Sequence, residues 1–545
     1  MFREMMTIAV LGLVMSSCQS TGVSKEVMIV LEEEKSMVEQ EIIDAIDELR
    51  MTEGSEEWDA DIDRIYQLDA SALAQEISES SLTSRQILYA YLLRIQQYNP
   101  VHNALITFNL RAAVDRAVRA DEAHARGESW GPLHGVPFSV KDTFSTAEIR
   151  TTAGYPDLAQ YVPDQDAVIV SRLLDAGAIL IGKTNTPTLA MDMQTDNPLF
   201  GRTGNAIDAS RTAGGSSGGA SVAVALGMSA FDFGSDLAGS IRLPAAFNGV
   251  YGFRPTYGLI SMRGHIPPVP GTTSGIRNLA VVGPIARSVR DLELLFELGA
   301  GPGDGDHRVA PLVHRDLMPE ATLRIAWAEQ FGGVPVSAEI RQAIEQFAGR
   351  LQAAGLFVER AEPEDFPWML AWETWGSIVG AQGGYNRSNF ARSIGSFFAR
   401  SSVEESPMQH QIVGPISIPK YMADLERQDR CIEALELFLQ SYDVWIVPVS
   451  STVAFEHLLP SRSFGDYSVY NDPVFVDGQP VHYYVATQSY TTPFSLTESP
   501  VVTMPIGQDA QGMPIGVQII GRRWDDARLL EIAEILDAIN SESDR

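Results

Sequence analysis

The chain is predicted to be an α/β protein built on a large mixed, mainly parallel sheet covered by helices on both faces. Three observations predict it. Short apolar runs alternate with helical patterns, as where run 178–181 follows a helical stretch ending at Asp175-Ala176-Gly177, and such alternation marks helices packed on a mainly parallel sheet. Runs 444–449 and 501–505 are short and apolar, with a proline at or near their ends, and read as buried strands. The 545 residues are 45% hydrophobic and 20% charged, the composition of an ordinary soluble protein with one large core.

The elements follow in order. Between 24 and 50, Leu31, Val38, Ile42, Ile46 and Leu49 lie on one stripe with acidic residues opposite, which predicts an amphipathic helix packed on the body by one face. Thr83 and Gln86 stand in capping-box spacing before Ile87, Leu88, Tyr91, Leu92 and Ile95, so a second helix is expected from there to about Asn99-Pro100. The glycine- and aspartate-rich segment 301–306 reads as a surface loop bounding an inserted helical region that reaches about Tyr442. Val474, Phe475 and Val476 before Asp477-Gly478 predict a hairpin. Run 516–521 reads as a strand, and 525–539 as the closing helix.

Charge and cysteine content exclude several classes. With 40 basic and 70 acidic residues, a net charge of −30 repels a polyanion, and no basic cluster offsets it, so nucleic acid is not an expected partner. Between Glu32 and Asp63 there are 14 acidic and only two basic residues, which concentrates the excess in a leader. The two cysteines, Cys18 and Cys431, build no disulfide framework, and no Cys/His cluster has zinc spacing. Neither metal nor cofactor is implied.

The organisation expected is an export signal at 1–18, an acidic helical leader or spacer at 19–67 and a single catalytic domain at 68–545. Arg3, the apolar run 7–15 and Ser16-Ser17-Cys18 have the shape of a signal too short to span a bilayer. The small residues before Cys18 are similar to a bacterial lipoprotein processing site, which would place a lipid on Cys18 and tether the chain to a membrane. Simple secretion is the equal alternative, and a buried N-terminal segment the third. The expected location is therefore the periplasm or a membrane-anchored lipoprotein of a bacterium. Export leaves Cys431 as a lone structural thiol.

The chemistry sits in a small set of residues. Ser216 lies in Gly214-Gly215-Ser216-Ser217-Gly218-Gly219, Ser240 follows Gly234-Ser235-Asp236-Leu237-Ala238-Gly239, and Lys141 precedes both. Serine and lysine together supply a nucleophile and a base without histidine. An amide demands both, with a proton for the amine leaving group and donors for the oxyanion. The amides of Leu237, Ala238, Gly239 and Ser240 are the candidate donors, each worth about 3 kcal/mol of barrier. Lys141 ends an apolar segment, and burial would lower its pKa until a neutral amine is available. A phosphate-cradling role for the glycine run fails because no Gly-Lys-Ser/Thr ending follows.

These motifs resemble the amidase signature family. The resemblance is carried by 214–256, including Gly239-Ser240-Ile241-Arg242 and Gly252-Phe253-Arg254-Pro255-Thr256, and by Gly135-Val136-Pro137, Lys141-Asp142, Thr151-Thr152-Ala153-Gly154, Gly182-Lys183-Thr184-Asn185 and 512–518. It implies the amidase signature fold and a catalytic triad of Ser240 as nucleophile, Ser216 as relay and Lys141 as base, with the peptide before the relay serine cis. Ser217 is assigned a supporting role, with Asp236 and Arg242 as braces of the loop. One departure is Ala238, where the family usually has the first of two glycines. The function implied is a serine hydrolase cleaving the C–N bond of a small-molecule amide.

Two other readings stand beside it: the glutaminase A-type subunit of a tRNA-dependent amidotransferase, and a catalytically inactive binding protein of the same fold. Self-association into a homo-oligomer is compatible with either. Peptide, fatty acyl and aryl amides and carbamates all stay open as substrates. Phe464, Tyr467, Tyr470, Tyr483, Tyr484 and Tyr490 read equally as a pocket lining or as hairpin packing.

Overall fold

The computed structural model describes residues 25–542 apart from 53–54, 273–274, 304, 313–322, 386–387, 390–391, 394–405 and 465–466. The expected export signal and Cys18 lie outside the described residues, as does the side chain of Leu31.

The first helix, α1 (Lys25–Arg50), packs as its stripe predicts. Ile42, Ala45, Ile46 and Leu49 are buried against Leu88, Leu92 and Ile95 of α2 (Ser84–His102) and Val114 and Ala117 of α3 (Leu110–Ala125). The α2 capping box is complete: the Gln86 N–H donates to Thr83 Oγ1 at 3.2 Å and the Thr83 N–H to Gln86 Oε1 at 2.8 Å. The helix continues through Pro100 to His102, past the expected end, and closes on a left-handed Asn103. The remaining helices used below are α4 (Gly218–Ala225), α5 (Arg242–Asn248), α6 (Val289–Gly299), α7 (Ala338–Ala353), α8 (Trp368–Gly384), α9 (Ile418–Leu439), α10 (Thr492–Leu496) and α11 (Asp526–Glu542).

Three strands form a small sheet in the order β1-β3-β2: β1 (Leu105–Phe108), β2 (Pro137–Lys141) and β3 (Ile179–Thr184). The large sheet consists of β4 (Asp232–Asp236), β5 (Tyr251–Arg254), β6 (Val281–Ala286), β7 (Arg324–Trp327), β8 (Phe357–Arg360), β9 (Val444–Pro448), β10 (Val501–Gln508) and β11 (Pro514–Ile520). Its eight strands run in the order β8-β7-β9-β11-β10-β5-β6-β4.

The α/β class and the mixed sheet are as expected, but the sheet is not mainly parallel. Only β8-β7 and β7-β9 pair parallel, and the other neighbours pair antiparallel. The physical reason is insertion. Strands β4 and β5, joined through α5, run in the same direction, as a helical crossover requires, yet β6 enters between them antiparallel to both. At the centre, β10 and β11 are joined by a tight turn closed by the Asp509 N–H on the Met513 carbonyl at 2.9 Å, a connection that only antiparallel neighbours allow.

Helices cover both faces of this sheet. A Cβ added to Gly252 of β5 would lie 2.9 Å from Ile241 and 3.0 Å from Ala245, on the α5 side. The next residue, Phe253, meets Phe296 of α6 edge-on with ring centres 5.2 Å apart. Successive strand residues point to opposite faces, so α5 and α6 lie on opposite sides. The insertion is helical as expected, with α7, α8 and α9, but it also contributes β7 and β8. Those two strands are four residues each, and Glu359 and Arg360 of β8 are exposed, so no apolar run marked them. The predicted hairpin pairs Val474–Val476 with Gln479–Val481. Its turn residues Asp477 and Gly478 take φ of 49° and 78°, the left-handed pair of a tight hairpin turn. Cys431 is buried in the main core, where desolvation raises its thiol to about 11.

Candidate active site

Strand β2 is buried throughout and delivers Lys141 to the interior. The side chain has no exposed surface. Its Nζ lies 2.6 Å from Ser216 Oγ, 3.0 Å from Ser217 Oγ and 3.1 Å from Ser235 Oγ. Its hydrogen-bond partners are thus hydroxyls, which can serve a neutral amine as well as an ammonium because each donates or accepts. Desolvation lowers the Lys141 pKa to about 7, against the opposing pull of Asp236 and Asp232. The sequence expectation of a buried, readily deprotonated lysine is met.

The glycine run around Ser216 is not a linker. A Cβ on Gly215 would come within 2.9 Å of the Asp192 carbonyl and the Gln194 nitrogen, and one on Gly218 within 2.3 Å of Thr195 Oγ1. The run is therefore threaded through a gap that only backbone fits, and it leads into α4. The Gly215–Ser216 peptide is cis. The Ser217 N–H donates to the Ser240 carbonyl at 3.1 Å, tying the Ser216 loop to the Ser240 loop. Ser216 and Ser240 are 1% and 5% exposed, so both stand at the edge of buried space.

The loop 237–240 joins β4 to α5 and is braced from beneath by Asp236. This carboxylate accepts the Gly239 N–H at 2.9 Å and the Ile241 N–H at 3.1 Å. Arg242 Nη2 and Nε donate to it at 2.9 and 3.0 Å, and Arg254 Nε stands 3.8 Å away. Although desolvation alone would raise it, the two guanidiniums and these donors hold its pKa well below the usual carboxylate range. Arg242 continues to the Thr491 carbonyl at 2.9 Å, Gln518 Oε1 at 2.7 Å and Ser495 Oγ at 2.8 Å. The bracing roles read for Asp236 and Arg242 follow from these contacts.

One expected oxyanion donor is corrected. The Gly239 N–H is engaged by Asp236, because the loop must turn there to satisfy the buried carboxylate. The amides of Leu237, Ala238 and Ser240 have no acceptor among the described residues. Ala238 keeps a negative φ, so its methyl group does not strain the loop, whereas Gly239 has φ of 107° and a Cβ there would sit 2.7 Å from Thr491 Oγ1.

Several contributors were not singled out from the sequence. Ser235, inside a quoted motif, proves to be the third hydroxyl on Lys141. Asp232, at the start of β4, accepts Ser139 Oγ at 2.6 Å and Thr184 Oγ1 at 3.1 Å while its other oxygen has no partner among the described residues, and burial raises it to about 7. Lys183 of β3 is buried too and donates to the Phe144 carbonyl, to Thr146 Oγ1 at 2.8 Å and to Thr151 Oγ1 at 3.1 Å. Asp142 points away from Lys141 and accepts from Thr152 at 2.6 and 3.0 Å. Of the aromatic set, Tyr470 and Tyr483 direct their hydroxyls to Asp192, and Tyr490 donates to the Val334 carbonyl at 2.6 Å. Those rings are packing and anchoring elements; the side chains of Phe464 and Tyr467 lie outside the described residues.

Comparison with known proteins gives the family. The family model Amidase matches residues 86–530. The A-type subunit of glutamyl-tRNA(Gln) amidotransferase from Heliobacterium modesticaldum is 30% identical over 494 residues, covering 86% of this chain and 96% of that protein. An acylamidase of Rhodococcus erythropolis is 29% identical over 493 residues, covering 88% and 97%. A solved amidase structure superposes with a TM-score of 0.69 at 28% identity, covering 86% of this chain and 99% of that one. With the family model spanning most of its length and the fold shared over 86% of it, this chain belongs to the amidase family and is an amide-hydrolysing enzyme of the amidase signature fold.

Proposed function

We propose that the chain is a serine amidase that cleaves a carboxamide to a carboxylic acid and ammonia or an amine through an acyl-enzyme on Ser240. The observation that carries this is the buried Lys141 amine, 2.6 Å from Ser216 Oγ and held near a pKa of 7 by desolvation. Neutral Lys141 takes the Ser216 proton while Ser216 takes that of Ser240, and the Ser240 oxygen bonds to the amide carbon. The N–H groups of Leu237, Ala238 and Ser240 hold the oxyanion. As the C–N bond breaks, the relay returns a proton to the leaving nitrogen. Water then bonds to the acyl carbon, its proton passing along the same relay, and the Ser240 ester is released as acid.

The test is labelling with a fluorophosphonate followed by peptide mass spectrometry, beside amide turnover by Ser240→Ala. A label on Ser240 in the wild type and no turnover by the variant are expected. Turnover by Ser240→Ala, or a label on another residue, overturns the assignment.

The relatives that are A-type subunits of glutamyl-tRNA(Gln) amidotransferases support a second reading, a glutaminase working within a complex. Ammonia release from free glutamine by the isolated chain, against release from acyl and aryl amides, separates the two. The segment 1–18 favours the first reading, since export would remove the chain from the cytoplasm. Cell fractionation and mass analysis of the mature N-terminus test that, and an unprocessed chain in the cytoplasmic fraction defeats it.

A further inference from the structure

The loop that bears the oxyanion donors is held by two residues that neither the triad nor the loop motif contains. Trp375, in the middle of α8, donates its indole N–H to the Leu237 carbonyl at 3.2 Å. Thr491, the residue before α10, donates its hydroxyl to the Ala238 carbonyl at 2.6 Å. The next carbonyl, of Gly239, accepts the Leu243 N–H at 2.8 Å inside the first turn of α5. Three successive carbonyls are thus each fixed by a donor from a different element.

In a trans peptide the N–H points opposite to the C=O, and the peptides of this loop are trans. A donor that fixes a carbonyl therefore fixes the direction of the amide that follows it. Trp375 on the Leu237 carbonyl turns the Ala238 N–H away from α8, where it has no acceptor among the described residues. Thr491 on the Ala238 carbonyl turns the Gly239 N–H onto Asp236, which receives it at 2.9 Å. These two side chains set the Ala238 and Gly239 amides from behind, and the Leu243 N–H on the Gly239 carbonyl sets that of Ser240.

We propose that Trp375 and Thr491 are positioning residues for transition-state stabilisation, Trp375 by directing the Ala238 amide and Thr491 by keeping the Gly239 amide on Asp236, so that the Ala238 amide meets the oxyanion beside that of Ser240. This rests on the assignment of Ser240 as nucleophile. Neither residue touches the reacting atoms in this role. Oriented donors matter because a preformed site needs no rearrangement as charge develops on the carbonyl oxygen. A loop free to rotate one peptide would lose that advantage while still binding the neutral amide.

The test uses the full chain with Trp375→Phe and Thr491→Val, a chromogenic anilide as substrate and a trifluoromethyl ketone as the tetrahedral mimic. Loss of orientation at one of several donors is expected to lower kcat ~10-fold to 30-fold, less than the ~100-fold or more of deleting a donor outright. KM should stay within about twofold and ketone affinity should fall by the same factor as kcat/KM, as for an interaction made only in the transition state. The midpoint of the pH profile should stay in place, since Lys141 is untouched, and Thr491→Ser should restore the rate. If Trp375→Phe does not fold, Thr491→Val carries the same expectation. Wild-type kcat in the variants, or a rise in KM with ketone affinity unchanged, overturns the proposal. Loss of all turnover in Ser240→Ala together with wild-type kcat in both variants would reject the positioning role alone.

Discussion

Replacing Lys141 by methionine separates what this residue does for catalysis from what it costs the fold. A lysine that titrates at about 7 in the folded state and at 10.5 when unfolded holds its proton more tightly in the unfolded chain. Folding stability then rises with pH between those values, by about 1.4 kcal/mol per pH unit, and the total penalty below pH 7 is about 5 kcal/mol. Methionine keeps the length and the apolar stem without that penalty. It also strips the Ser216, Ser217 and Ser235 hydroxyls of their common partner, a loss of about 3 kcal/mol at roughly 1 kcal/mol per hydrogen bond. The difference makes Lys141→Met the more stable protein at pH 7, by on the order of 1 kcal/mol, and more so below it. At pH 9.5 most of the protonation penalty is gone, so the variant should be the less stable of the two. Urea unfolding midpoints of both proteins at the two pH values give the comparison, and amide turnover by the variant should be absent. A stability difference of the same sign and size at both pH values would refute the neutral-lysine argument, whatever the effect on rate.

Three further outcomes follow from the same contacts. Because only neutral Lys141 accepts a proton, kcat/KM of the wild type should rise about tenfold per pH unit below pH 7 and level off above it; a flat profile between pH 5.5 and 8 rejects Lys141 as base. Gly239→Ala, which places a methyl group 2.7 Å from Thr491 Oγ1 at a φ of 107°, should lower kcat by ~100-fold or more as the donors are displaced, whereas Ala238→Gly should stay within a few-fold; equal effects in the two variants would show that the loop is not shaped as described. Asp236→Asn leaves Arg242 and Arg254 buried without their anion and should lower the unfolding free energy by about 3–5 kcal/mol, read from urea midpoints, and a loss under 1 kcal/mol would mean that the brace carries little.

The fold was legible where a local pattern decides the element and illegible where partners decide it. The α2 capping box, the turn at Asp477-Gly478 and the apolar stripe of α1 are fixed by residues a few positions apart, and each appears where expected. The parallel character assigned to the sheet was wrong because alternation of strand and helix reports the crossover between β4 and β5 but says nothing of β6 entering between them. Lys141 and Ser216, singled out with Ser240 through motifs of glycine and serine, do meet in the fold. Trp375 and Thr491 were not singled out, since they reach the loop from 138 and 253 positions away and are set in ordinary helical surroundings. Ser235 shows a third case: it was quoted as part of a motif, but its role depends on which of the neighbouring side chains turns toward β2.

The arrangement of charge around the amine explains how one buried site keeps a carboxylate ionised while a lysine loses its proton near neutral pH. Desolvation acts on both in the same sense, against charge. Asp236 escapes it because Arg242 and Arg254 surround it and several N–H groups point at it. Lys141 does not escape, because its direct partners are hydroxyls and the nearest carboxylates are already engaged elsewhere. Asp236 pulls the lysine toward the protonated form, but desolvation of the fully buried amine is the larger effect. Asp232, buried with one oxygen unpartnered among the described residues and raised to about 7, exerts less pull whenever it carries a proton. The loop 237–240 and the Lys141 amine thus meet at one carboxylate: Asp236 is held ionised by the arginines while desolvation outweighs its pull on the lysine.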